Sequence, residues 1–193
     1  MTASPTRRWA AAQPQEYCRY GGFLGGAQMF DGLQFGLAPV EVASMDPQQR
    51  LLLESAYATC HGSGYRRLSL LGSDVGVYVG IEHLDWQLLH AMQSSQTALQ
   101  RQSAYAASGE QGHVASGRVS FVLGLHGPCM SVNTACSSAL VAVHSAASAL
   151  RAAECSGALA SGVKLVLLPF AVAGGVHALD GRSKSFDARA DGY

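Results

Sequence analysis

Charge is scarce in this sequence. Asp, Glu, Lys and Arg make up 13% of 193 residues, 13 basic against 13 acidic, so the formal net charge is zero. A chain this neutral lacks the positive field that nucleic acid or an anionic membrane surface calls for. Long apolar runs are missing as well. Gly157 to Gly175 comes nearest, and Lys164, Pro169 and its glycines interrupt it before it could span a bilayer. Paired cysteines are missing too. Cys18, Cys60, Cys129, Cys136 and Cys155 are odd in number and widely spaced, with no C-x-x-C. That pattern argues against a zinc ribbon, a dithiol redox pair and a disulfide scaffold, and for reduced thiols inside a cell. No acid precedes Glu16, and Arg7 and Arg8 stand among small residues. This allows a plastid-type transit stub, but an ordinary exposed N-terminus on a cytoplasmic protein is the preferred reading. What is present is apolar material, 48% of the residues, and 22 glycines, ample for the core of one domain and its tight turns.

The apolar residues fall into alternating periods. Asp46 and Pro47 form a helix start, a capping side chain followed by a residue suited to the first helical position. That helix should run through Leu51, Leu52, Leu53 and Ala56 and stop at Gly62 or Gly64. From Asp74 to Ile81 the chain alternates: Val75, Val77, Val79 and Ile81 face one way, Gly76, Tyr78 and Gly80 the other. The glycines let something pack very close to that second face. Residues 84–93 and 111–125 read as helices, and 94–110 as a polar loop or mobile helix. Residues 129–135 read as a short buried strand, Ser137 to Ala153 as an uncharged helix, and 157–168 as a second buried strand. The tail from Gly174 is turn-like. Strands apolar on both faces, alternating with helices, predict an α/β layered domain with a mostly parallel sheet.

One segment points to chemistry. Val132-Asn133-Thr134-Ala135-Cys136-Ser137-Ser138 places a cysteine, flanked by small residues, between a strand and an apolar helix. A nucleophile on a sharp strand-to-helix turn needs such neighbours, because bulky ones would cover it. Helix N-terminal N–H groups favour a thiolate and can hold an oxyanion when a thioester carbonyl is attacked. A buried, inert thiol is the usual fate of an intracellular cysteine and suits Cys60, Cys129 and Cys155. The context of Cys136 favours the nucleophile.

The segment Val132 to His144 resembles the active-site stretch V-D-T-A-C-S-S-S-L-V-A-V-H of β-ketoacyl synthases, the condensing domains of fatty acid and polyketide synthases. Met45-Asp46-Pro47-Gln48-Gln49-Arg50-Leu51-Leu52-Leu53-Glu54 is similar to a block of the type I polyketide branch. Gly76 to Gly80, Gly117-Arg118-Val119-Ser120, Gly162-Val163 and Asp180 to Asp187 match in the same order. The resemblance implies the N-terminal half of a thiolase-like layered α/β/α fold, with residues 1–193 an incomplete domain that lacks the family's first strand and second half. It implies that Cys136 takes an acyl group from an acyl carrier protein, whose phosphopantetheine arm delivers it. Decarboxylative Claisen condensation with a malonyl-type extender follows, the Cys136 backbone N–H forming half of the oxyanion hole. The family works as a homodimer, with neither metal nor a cofactor of its own.

Three departures stand out. The two assisting histidines of the family lie downstream, one in H-G-T-G-T, and neither motif occurs here. His144 lies eight residues beyond Cys136, roughly 12 Å along a helix axis, too far for a bonded pair. Asn133 stands for the usual Asp, and Ala139 for a Ser. The expectation is therefore a condensing-enzyme part, inactive alone. The alternatives are a non-catalytic condensing-like scaffold or dimerisation partner, which retention of Cys136 disfavours, and an unrelated cysteine hydrolase, which lacks a local base.

Overall fold

The computed structural model describes residues 20–82, 85–92, 104–168, 178 and 180–192. The readings made for the first fifteen residues, for Cys18, for 93–103 and for the start of the tail over 174–177 lie outside these. The chain forms two units: Ala27–Leu165, and Met1–Gly26 together with Val166–Tyr193.

The larger unit carries α1 (Pro39–Ser44), α2 (Pro47–Gly62), α3 (Arg67–Leu70), β1 (Gly76–Ile81), α4 (Asp85–Met92) and α5 (Ala104–Gly109). A 3-10 turn (Gly112–Val114), α6 (Ala115–Leu123), β2 (Cys129–Val132), α7 (Ser138–Arg151) and β3 (Ala158–Val163) follow. Among the described residues the strands form one sheet in the order β2-β1-β3. Both pairings are parallel, with Val77 opposite Cys129 on one side and Leu159 on the other. This agrees with the layered, parallel α/β fold expected from the residue pattern.

β1 is buried along its whole length because it is the central strand. Val77, Val79 and Ile81 share one core with Leu52 and Leu53 of α2 and Val119 and Leu123 of α6. Each such side chain contributes about 1.5–3 kcal/mol on burial. On the opposite face Tyr78 packs with Ala142, Ala146 and Ala149 of α7. The alternation along β1 thus sets the layers: α2 and α6, then the sheet, then α7.

Two strands are less buried than expected. β2 and β3 are partly exposed, because each pairs along one side only among the described residues. β3 also ends at Val163. The Leu165 N–H donates to Gln48 Oε1 at 3.0 Å, so the apolar run Leu165 to Leu168 leaves the ladder. β2 stops at Val132 rather than at residue 135.

α2 begins as expected, with Asp46 Oδ1 accepting the Gln48 N–H at 2.8 Å, and it ends at Gly62. The burial of Gln48 and Gln49 was not foreseen. Gln49 Nε2 donates to the carbonyls of Ser108, Gly109 and Gln111, each at 3.2 Å. Its Oε1 accepts from Arg118 Nε at 2.6 Å, and Arg118 Nη1 pairs with Glu41 Oε1 at 2.5 Å. Gln48 Nε2 reaches the Glu82 carbonyl at 3.0 Å. The Asp-Pro-Gln-Gln block is therefore a polar hub that ties α1, α2, α6 and the chain around residue 110 together. Buried amides are tolerated here because their donors and acceptors are satisfied.

In the smaller unit, Lys184 Nζ bridges Asp180 at 3.0 Å and Asp191 at 2.6 Å. The Arg182 guanidinium lies 4.5 Å from the Tyr20 ring centroid and bonds its hydroxyl at 2.7 Å.

Candidate active site

The candidate site is the turn between β2 and α7. β1 sets its floor through glycine. A Cβ on Gly80 would lie 2.5 Å from the Ser138 carbonyl carbon and 2.6 Å from the Ala139 nitrogen. A Cβ on Gly162 in β3 would lie 2.5 Å from Ala139 Cβ. Only bare glycine lets the first turn of α7 rest directly on the sheet. The close approach expected at the second face of β1 is thus present, and the occupant is the segment just beyond Cys136. Gly162 contributes equally, and its signal was available as an isolated glycine in a strand.

The turn itself is cross-braced. The Ala135 N–H donates to Asn133 Oδ1 at 3.0 Å. Ser138 Oγ accepts the Thr134 N–H at 2.8 Å and donates to the Ala135 carbonyl at 2.7 Å. Ser137 Oγ donates to the Thr134 carbonyl at 2.8 Å. These bonds hold Ala135 at φ +54°. The left-handed region costs a residue with a Cβ about 1–3 kcal/mol. Strain of this kind marks a sharp elbow, and Cys136 follows it directly.

Cys136 is a free thiol and exposed, as a nucleophile must be. Two residues later α7 begins; the Ser138 N–H donates to the Ala135 carbonyl at 3.1 Å and the Val141 N–H to the Ser137 carbonyl at 3.0 Å. Cys60 and Cys155 are buried, matching the inert role read for them, and burial pushes the Cys60 thiol above its ordinary range. Cys129 is exposed rather than buried, because it opens the partly exposed strand β2.

No histidine is hydrogen-bonded to Cys136 among the described residues. His144 is an exposed residue of α7, and His126 is exposed just past α6. His90 Nδ1 is engaged by Glu110 Oε1 at 2.7 Å. Among the described residues no group of three or more His, Cys, Asp or Glu could hold a metal ion. No helix there is long and apolar enough to cross a membrane.

A layered α/β unit with an exposed thiol on a strained strand-to-helix elbow is an arrangement that can present a side chain at the end of a parallel sheet. Residues 4–193 match the family described as "Beta-ketoacyl synthase, N-terminal domain", and the chain belongs to that family. It is 41% identical over 196 residues to the spectinabilin polyketide synthase system protein NorA' of Streptomyces orinoci, covering 100% of this chain and 5% of that protein. It is 46% identical over 185 residues to the phenolphthiocerol synthesis polyketide synthase type I Pks15/1 of Mycobacterium bovis, covering 94% of this chain and 8% of that protein. Among solved structures it is similar to a cysteine-to-serine variant of the ketosynthase from module 6 of the bacillaene synthase of Bacillus subtilis 168. That match has a TM-score of 0.80 at 32% identity and covers 98% of this chain and 32% of that one. The chain therefore spans a small part of these synthases and about a third of the ketosynthase.

Proposed function

We propose that Cys136 is the acyl-accepting nucleophile of a polyketide-type β-ketoacyl synthase. Its thiolate attacks the carbonyl of an acyl thioester on a carrier protein. The acyl–sulfur bond to Cys136 forms, and the carrier's phosphopantetheine thiol leaves. A malonyl-type extender on the carrier protein then loses CO2, its Cα bonds to the acyl carbonyl, and the Cys136 thiolate is released. The Cys136 backbone N–H, beside the first turn of α7, is the donor assigned to the oxyanion.

The observation that carries this reading is the exposed Cys136 on the strained elbow, just ahead of a helix start that rests on Gly80 and Gly162. Family membership supports it, and the named relatives are polyketide synthases, which favours that branch over fatty acid synthesis. The partners follow from the same reading: an acyl carrier protein, and a second copy of the domain. Its location, with the thiols reduced, is the cytoplasm. Within that reaction, residues 1–193 supply the acyl-accepting thiol and the turn that carries it.

The test is acylation. Incubation with a hexanoyl thioester of N-acetylcysteamine is expected to add the acyl mass at Cys136, read by peptide mass spectrometry, and Cys136→Ala to abolish it. Label confined to Cys129 would refute the assignment. The chain alone is expected to form no condensation product.

A further inference from the structure

The pair Thr134-Ala135 is bracketed by one hydroxyl, that of Ser138, which is the buried member of the brace. Ser138 is 6% exposed, whereas Asn133 and Ser137 are exposed. Its hydroxyl takes the Thr134 N–H and gives its proton to the Ala135 carbonyl, at 2.8 and 2.7 Å. Its own backbone lies against Gly80, where a Cβ would come within 2.6 Å of the Ser138 carbonyl oxygen. Ser138 is thus anchored on the central strand, and the turn is anchored on Ser138. Two backbone bonds, Ser137 N–H to the Thr134 carbonyl at 3.3 Å and Ser138 N–H to the Ala135 carbonyl at 3.1 Å, close the same turn; losing the hydroxyl leaves these and frees Ala135 to shift from φ +54° toward the broad regions open to a residue with a Cβ.

We propose that Ser138 is a positioning residue for Cys136. Its hydroxyl fixes the left-handed turn at Ala135, and that turn sets the direction in which the next residue, Cys136, leaves the backbone. This rests on Cys136 being the nucleophile. Ser138 would touch neither the acyl group nor the reacting sulfur. A serine that merely stabilised the helix would change melting and leave thiol chemistry alone, so the two roles separate by measurement.

The experiment uses the 193-residue chain. Alkylation by iodoacetamide is followed at each cysteine by peptide mass spectrometry across a pH series, with exposed Cys129 as the internal standard. Acylation by the hexanoyl thioester is followed in parallel. Ser138→Ala is expected to slow Cys136 relative to Cys129 roughly ten- to a hundredfold. The Cys129 rate should stay at the parent value in the same samples. Ser148→Ala removes a comparable bond, Oγ to the His144 carbonyl at 2.9 Å, and is expected to leave both readouts unchanged. Asn133→Ala, at an exposed position, loosens the same turn and is expected to slow Cys136 about threefold. It decides the matter should Ser138→Ala fail to fold. Equal Cys136 rates in the parent and the folded variants would overturn the positioning role and leave the nucleophile standing. A parent chain whose Cys136 takes no acyl group would overturn the nucleophile, while the alkylation arm would still decide what Ser138 does.

Discussion

A single methyl group on Gly80 tests how the elbow is built. The added Cβ would meet the Ser138 carbonyl carbon at 2.5 Å and the Ala139 nitrogen and Ser138 oxygen at 2.6 Å. All three atoms are backbone, so no rotamer change relieves the contact. Reaching an ordinary separation of about 3.5 Å requires a displacement of roughly 1 Å. β1 is buried and paired on both sides, so the displacement falls on α7. Overpacking of this kind costs about 1–3 kcal/mol, and the upper part of that range is expected where only backbone can give. Urea denaturation reads the stability, and alkylation of Cys136 reads the elbow. Two comparisons sharpen the result. Gly162→Ala meets the Ala139 side chain, so combining it with Ala139→Gly should recover about 1 kcal/mol or more of coupling. The same partner should not rescue Gly80→Ala, whose contacts include Ser138. Gly117 in α6 has open space where a Cβ would go, and Gly117→Ala should stabilise by about 0.5–1 kcal/mol. Parent stability together with an unchanged Cys136 rate in Gly80→Ala would refute the packing of α7 on the sheet.

Arg118→Ala should cost about 3–5 kcal/mol in a urea melt, because it strands Glu41 and Gln49 beside a buried guanidinium site; a loss below about 1 kcal/mol would contradict the hub. In the smaller unit Arg189 bonds the Asp187 carboxylate through its side chain and its N–H, pulling Asp187 down to about 2. Since the folded value is lowered, the interaction is intact above the ordinary aspartate range and is lost as pH falls through about 2. An NMR titration should show this, with Arg189→Gln returning Asp187 upward. Leu140 is 72% exposed on α7 and Ala146 is 5% exposed against the sheet. Leu140→Gln should therefore stay within about 0.5 kcal/mol of the parent, while Ala146→Leu should cost about 1–3 kcal/mol.

Much of this arrangement was legible from residue order. The alternation from Val75 to Ile81 marked the central strand and both of its faces, and Asp46 with Pro47 marked the start of α2. The turn that exposes Cys136 was legible because small residues, a strand and an apolar helix meet there. The edge character of β2 and β3 was not, since an apolar run reads alike whether a strand is paired on one side or two. The burial of Gln48 and Gln49 was hidden for a related reason: polar residues read as surface, and their partners at Ser108, Gly109, Gln111 and Glu82 lie far along the chain. The brace at Ser138 was hidden too. A serine beside a cysteine suggests only smallness, and its bonds to Thr134 and Ala135 appear once the turn has formed.

Scarce charge and abundant glycine belong to the same arrangement. α7 turns Ser138, Ala142, Ala146 and Ala149 to the interior, and β1 and β3 answer with Gly80 and Gly162. Small residues on both sides shorten the distance between helix and sheet, and that distance fixes where the first turn of α7 stands relative to Cys136. Stability and reactivity therefore respond differently to the two glycines. A methyl on Gly162 presses on the Ala139 side chain, beyond the brace. A methyl on Gly80 presses on Ser138 itself, the residue that clamps Thr134 and Ala135. At equal loss of stability, Gly80→Ala should cost Cys136 more of its alkylation rate than Gly162→Ala. The reverse order would mean that the thiol is aimed by the body of the helix rather than by the clamp at its first residue.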